Sequence, residues 1–188
     1  TGVNSKFGIP YERVPELATQ WAAEFDLVGI HAHAGSGISG EDLSAHEELV
    51  RRMGTLTRTI TERAGALEFV DVGGGFGVPY RPDDPPLDIY TVAEKTRDAL
   101  GTVDATLVIE PGRYVVADAG VLLTRANTIK SARETTVVGV DAGMTTLLRP
   151  AMYDAYHEVK NISASPPTDS IPVPIAGPMC ESSDIFAK

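Results

Sequence analysis

Five short segments carry side chains whose types and spacing could do chemistry. Gly73-Gly74-Gly75-Phe76-Gly77 is a glycine run of the kind that lets successive backbone N–H groups turn toward one anion, because no Cβ obstructs them. The same run also suits a plain tight turn. Glu110-Pro111-Gly112-Arg113 supplies a carboxylate and a guanidinium, which alone could equally be a surface salt pair. His31 and His33 are two apart, so on a strand they share a face and can look into one cleft; Ala34-Gly35-Ser36-Gly37 follows them. Arg149-Pro150-Ala151-Met152-Tyr153 puts a cation and a phenol together, which suits a carboxylate ligand, although Arg149 also reads as an ordinary surface arginine. Cys180-Glu181-Ser182-Ser183-Asp184 sets the single thiol beside an acid, and in the plainer reading this is a buried cysteine at a loop.

The elements that must position these groups follow from apolar spacing. Residues 10–24 read as a helix with Val14, Leu17, Ala18, Trp21 and Ala22 on one face. Residues 27–33 read as a short buried strand. A long helix is predicted over 40–63, with Ser39 and Asp42 as a capping box that has Asp in place of Glu, and Leu43, Val50, Met53, Leu56 and Ile60 as its inner stripe. A second strand over 69–72 runs into the glycines, a proline-rich loop covers 79–88, and a helix over 89–100 leads to a third strand at 106–109. Helix and strand therefore alternate as in a parallel sheet or barrel, with the polar groups just after the strand C-termini, where α/β folds place active sites. Beyond about Ala117 the rhythm changes. Residues 121–131 and 135–140 are β-rich with no helix between, and a tail with Pro166, Pro167, Pro172, Pro174 and Pro178 follows. The expected boundary lies near Asp118.

Composition narrows the function. With 16 basic and 26 acidic residues the formal charge is −10, which excludes a general phosphate-backbone binder but leaves room for a local anion site built from backbone N–H groups. Apolar content of 43% with 22% charged residues describes a soluble globular chain. The single cysteine cannot form an internal disulfide, the most apolar stretch (Thr106 to Leu123) is broken by Glu110, Arg113 and Asp118, and Thr1 to Lys6 lacks an apolar core for a signal peptide. A reducing, cytoplasmic setting is expected, with neither nucleic-acid nor membrane partners.

In order, the segments SKFGIP (Ser5–Pro10), GIHAHAGSGI (Gly29–Ile38), DVGGGFGVPY (Asp71–Tyr80), EPGRYVVADAGVLLT (Glu110–Thr124), VDAGMTTLLRPAMYDAYHEV (Val140–Val159) and AGPMCESSDIFAK (Ala176–Lys188) span almost the whole chain. By these the chain resembles the diaminopimelate decarboxylase family, in the alanine-racemase-like group of decarboxylases that use pyridoxal 5′-phosphate (PLP). The resemblance implies an α/β fold: the later part of a PLP-binding TIM-type (β/α)8 barrel over 1–117, then the start of a mostly antiparallel β-domain with substrate-binding loops over 118–188. It implies that His33 stacks on the PLP ring, Ser36 binds the phosphate, and Gly73, Gly74 and Gly75 offer it backbone donors. Glu110 would pair with the pyridine nitrogen, and Gly112 and Arg113 would meet phosphate and substrate. Arg149 and Tyr153 would hold the distal end of an amino-acid substrate, with Glu181 reading its ammonium group. Cys180 would be the proton donor entering from the partner subunit of a homodimer with shared active sites. The activity implied is decarboxylation of meso-diaminopimelate to L-lysine, and no metal is expected.

One departure stands beside these matches. The family's Schiff-base lysine lies in an early barrel strand before Ala-Asn, and Lys6, Lys95, Lys130, Lys160 and Lys188 have no such context. At 188 residues the chain is also short for a barrel of about 250 residues plus a β-domain. It is expected to be an internal fragment, inactive alone. RPAMY and CES favour the diaminopimelate branch over the other amino-acid and polyamine decarboxylases of the fold. Two further readings are a metal-dependent barrel hydrolase using His31 and His33, and a PLP-binding module without turnover.

Overall fold

A computed structural model describes residues 5–40, 43–163 and 171–188. The stretch Thr1 to Asn4, the proposed capping residue Asp42, and Pro166 and Pro167 lie outside them.

The chain divides into two compact units, Thr1–Val78 with Pro85–Ala119, and Pro79–Asp84 with Gly120–Lys188. In the first, one 3-10 turn at Tyr11–Arg13 leads into α1 (Val14–Trp21), whose Pro15 sits in the first turn, where a missing N–H breaks no helical bond. Then come β1 (Gly29–His31), α2 (Ser44–Ala64), β2 (Phe69–Gly74), α3 (Ile89–Leu100), β3 (Thr106–Glu110) and α4 (Gly112–Val116).

The strands pair in parallel in the order β1-β2-β3, with Ile30 opposite Val70 and Val70 opposite Leu107. This is the expected neighbour relation, because each crossover carries a helix that packs back on the sheet. Val70 and Val72 of the central strand are fully buried against Val50, Met53 and Leu56 of α2 and Leu100 of α3. Every residue of the expected α2 stripe is buried. Its start differs from the reading: α2 opens at Ser44, after Leu43, whose own side chain makes no capping hydrogen bond. Helix α3 matches the reading residue for residue, because Asp88 accepts from the Tyr90 amide and Gly101 ends it. Lys95 of α3 forms an ion pair with Glu47 of α2.

Strand β1 is shorter than read, and half-buried to exposed instead of buried. Among the described residues it has a neighbour on one side only, as does β3, whose Leu107 and Ile109 are exposed.

In the second unit β4 (Ala126–Ala132) and β5 (Thr135–Val140) form an antiparallel hairpin, with Arg133 at positive φ in its tight turn. Helix α5 (Arg149–Tyr153), β6 (Ile175–Ala176) and β7 (Ile185–Ala187) follow; β5 pairs with β6 in parallel and β6 with β7 antiparallel. Residues 121–125, read as β-rich, hold no strand; instead Thr124 Oγ1 and the Arg125 amide donate to the Asp141 carboxylate at 2.6 and 2.9 Å. Among the described residues no helix is long and apolar enough to cross a membrane.

Candidate active site

The first unit gathers three turns at the C-terminal edge of its sheet. Gly73 has φ +72° and Gly75 φ +87°, conformations that a side chain resists. A Cβ on Gly73 would stand 2.7 Å from His33 Nδ1, and one on Gly75 would overlap the Gly35 carbonyl. The glycines therefore let the turn after β1 lie directly on the turn after β2. Two amides, of Gly37 and Ile38, close the seam by donating to the Gly75 carbonyl at 2.9 Å. Gly74 is opposite Glu110 in the ladder, and a Cβ there would overlap the Glu110 carbonyl, so the turn after β3 is pressed on the same seam.

Side chains then tie the turns together. Arg113 Nη2, on α4, donates to Ser36 Oγ at 2.6 Å, which sets a cation beside a hydroxyl. The Gly74 amide donates to His33 Nδ1 at 3.3 Å, fixing the ring against the glycines. The Gly73 amide donates to Asp71 Oδ1 at 2.8 Å, so Asp71, buried and given no role by the sequence, shapes the run. An acid one strand-step before a glycine turn is the signal that could have found it. Two of the three glycine amides expected to face an anion are thus engaged within the protein. Gly112 opens α4 with nothing within 4 Å of where a Cβ would be.

Glu110 lies 3.3 Å from His31 Nε2, both side chains about half exposed (55% and 52%). Asp71 joins them, with ligand atoms of the three all within 4.8 Å of one another. His31 and His33 thus have different partners, Glu110 and the glycine turn. The set fits an aromatic phosphate ester with a basic ring nitrogen, as PLP has: a cation–hydroxyl pair for the phosphate, an imidazole beside the seam, and a half-exposed carboxylate for the ring nitrogen.

The second unit holds the remaining candidates. Arg149 opens α5, and its Nη1 donates to His157 Nε2 at 3.0 Å while its guanidinium lies over the Tyr80 ring, 4.8 Å from the centroid. Tyr153 is exposed at the end of the same helix. Cys180 is a free, exposed thiol, not the buried residue of the plainer reading, because its loop turns outward between β6 and β7. Glu181 accepts from the Ser183 amide and hydroxyl, each at 3.2 Å. Asp184, buried, accepts from the Met144 amide at 2.6 Å and the Met179 amide at 2.8 Å. It pins the loop that carries Cys180 and Glu181. Asp184, His157 and Tyr80 lie within the family-like segments, but nothing in the sequence assigned them a role, because only the fold shows that Asp184 meets Met144 and that Tyr80 meets Arg149 and His157.

Residues 1–117 match the family described as "Pyridoxal-dependent decarboxylase, pyridoxal binding domain", and residues 83–188 match "Pyridoxal-dependent decarboxylase, C-terminal sheet domain". Among curated relatives, diaminopimelate decarboxylase of Methanothermobacter thermautotrophicus is 42% identical over 100% of this chain and 45% of its own length. That of Neisseria meningitidis serogroup A is 38% identical over 100% and 46%. The chain therefore spans less than half the length of these relatives. A solved structure of diaminopimelate decarboxylase from Helicobacter pylori, complexed with L-lysine, superposes with a TM-score of 0.87 at 34% identity, covering 99% of this chain and 46% of that one. A Vibrio vulnificus lysine/ornithine decarboxylase shares the fold, with a TM-score of 0.83 at 23% identity. With both family models together covering its length, and with the three-turn seam and the hairpin sheet each in place, the chain belongs to the pyridoxal-dependent decarboxylases.

Proposed function

We propose that the protein decarboxylates meso-diaminopimelate to L-lysine with PLP, in a cytoplasmic homodimer. The observation that carries this reading is the identity of 33–42% to curated diaminopimelate decarboxylases across nearly the whole chain. In this reading 1–117 holds the cofactor and 118–188 carries the substrate loops.

When bound, PLP supplies an electron sink for the pair left on the substrate's Cα as carbon dioxide departs. The residues of this chain do the rest. Ser36 and Arg113 take the phosphate, and Gly73 and Gly74 add their amides only by releasing Asp71 and His33. Gly75 and Gly112 contribute by leaving room. His33, held against the glycine turn, would offer its imidazole face to the ring. Glu110, backed by His31, would accept from the protonated ring nitrogen and so favour its charged form. Arg149 and Tyr153 hold the distal carboxylate, and Glu181 holds the distal ammonium group. A zwitterionic end needs both signs, and the second unit offers both. Cys180 Sγ, exposed and brought by the partner subunit, delivers a proton to Cα.

The test is the PLP holoenzyme containing this chain, given meso-diaminopimelate. Equimolar carbon dioxide and L-lysine are expected; holoenzyme that releases neither overturns the reading.

A further inference from the structure

The Arg149 guanidinium does not stand alone. His157 Nε2 accepts from its Nη1 at 3.0 Å, and the Tyr80 ring lies beneath it at 4.8 Å. His157 and Tyr80 also meet each other, edge to face, with centroids 5.3 Å apart. The three side chains close a triangle. Tyr80 is itself fixed, because its amide and that of Arg81 donate to Asp84 Oδ2 at 2.9 and 2.8 Å. Those two bonds hold the Asp84 carboxyl below its usual range. A second stack, Arg81 over the Tyr156 ring at 4.0 Å, joins the same turn to the segment after α5.

Arginine has a long, rotamer-rich side chain, and fixing it for a ligand costs conformational entropy. A guanidinium already held by an acceptor on one edge and an aromatic ring on its face has met that cost before the ligand arrives. The remaining donors keep the planar fork that matches a carboxylate. We propose that His157, with Tyr80, is a positioning residue that pre-sets Arg149 for the substrate's distal carboxylate and thereby sets substrate affinity. This rests on the proposed diaminopimelate reading and deepens it. Because the reacting end loses its carboxylate as carbon dioxide, the product L-lysine keeps the distal one, whereas cadaverine has none. The two ligands therefore separate an effect on Arg149 from any other.

The experiment uses the PLP holoenzyme containing this chain, with His157→Phe and His157→Gln. Phe keeps a ring against Tyr80 and removes the acceptor; Gln restores an acceptor at similar reach. For His157→Phe, KM for meso-diaminopimelate and the inhibition constant of L-lysine should rise about tenfold, the scale of a lost charge-assisted hydrogen bond. The kcat should stay within about twofold, and cadaverine inhibition and PLP content should not change. Gln should recover most of the lost affinity. Unmoved KM and lysine inhibition in His157→Phe overturn the proposal, and so does an equal loss of cadaverine binding or of PLP, which would make His157 merely structural. Wild-type holoenzyme that forms no lysine overturns the functional reading beneath it instead.

Discussion

In the parallel-sheet unit the candidate groups stand where strands end, and main chain holds them: amides of Gly37 and Ile38 on the Gly75 carbonyl, and ladder pairing of Gly74 with Glu110. In the hairpin unit they stand on a five-residue helix and a loop, and side chains hold them: His157 and Tyr80 on Arg149, Asp184 under the Cys180–Glu181 loop. The difference suits the two tasks proposed for the units. A phosphate and a flat ring are the same in every member of a cofactor family, so a seam of backbone serves all of them. Substrate ends differ, and side-chain supports can be exchanged without rebuilding a sheet.

The largest break in that contrast should come from one methyl group in the seam. Gly75→Ala places a Cβ over the Gly35 carbonyl at a backbone of φ +87°, where neither neighbour is a flexible side chain. Overpacking of about 1–3 kcal/mol adds to left-handed strain of about 1–2 kcal/mol. Loss of PLP loading and a lowered unfolding midpoint are expected. Gly120→Ala, outside the proposed site, is the control: its Cβ meets nothing within 4 Å, so loading and stability should hold. If the two substitutions behave alike, packing at the seam is not what the glycines provide.

Next in size is Arg149→Ala, which should weaken binding of meso-diaminopimelate by roughly 1.5–3 kcal/mol, the worth of a charged hydrogen bond, and leave PLP affinity intact. Equal losses of both affinities would show that the arginine is structural and that the division of labour between the units is wrong.

Asp184→Asn sharpens the same contrast at smaller cost. The isostere keeps one acceptor, but its NH2 then faces an amide that the second oxygen had satisfied, at Met144 or Met179. An unpaired buried donor costs about 1–3 kcal/mol. Thermal stability should fall, KM for meso-diaminopimelate should rise with the loosened Cys180–Glu181 loop, and PLP absorbance should remain as in the parent.

The same division governs what could be read from the amino-acid order. Strand-end sites announce themselves, because glycine runs and EPGR-type turns interrupt apolar runs at fixed places. The seam of Ser36, Gly73–Gly75 and Arg113 was legible for that reason, and so was α3, with a cap at Asp88 and a stop at Gly101. The supports in the hairpin unit were not. Tyr80 sits in a stretch that composition marks only as a proline-rich loop, and it meets Arg149 and His157 through the fold alone. Asp184 reads as one more acid after Cys180-Glu181 until Met144 is brought beside it. Strand β1 is shorter than the apolar run at 27–33, since its pairing with β2 covers only Gly29–His31.

The smallest expected effect separates the units by acidity. His46 of α2 is buried, its Nε2 is 2.8 Å from Thr96 Oγ1, and it meets the Phe76 ring edge to face. Burial lowers its pKa below the ordinary 6.5, and the neighbouring Glu47 only partly opposes this. In the unfolded chain the same imidazole takes up a proton near 6.5, while the folded one stays neutral to lower pH. Between those points the unfolded state binds more protons, so the stability contributed above 6.5 is lost as the pH falls. The shifted carboxylates Glu48, Asp84, Asp88, Asp141 and Asp154 have ordinary values of 3.8–4.5 and are lowered further, so their losses come at more acid pH. The single tryptophan, Trp21, lies on α1 of the same unit as His46 and reports its unfolding. Its fluorescence midpoint in urea should drop between pH 7.5 and 5.5, and His46→Gln, which retains a partner for Thr96 and cannot titrate, should reduce that drop. A drop of the same size in His46→Gln would place the acid sensitivity elsewhere and remove this distinction between the seam and the hairpin unit.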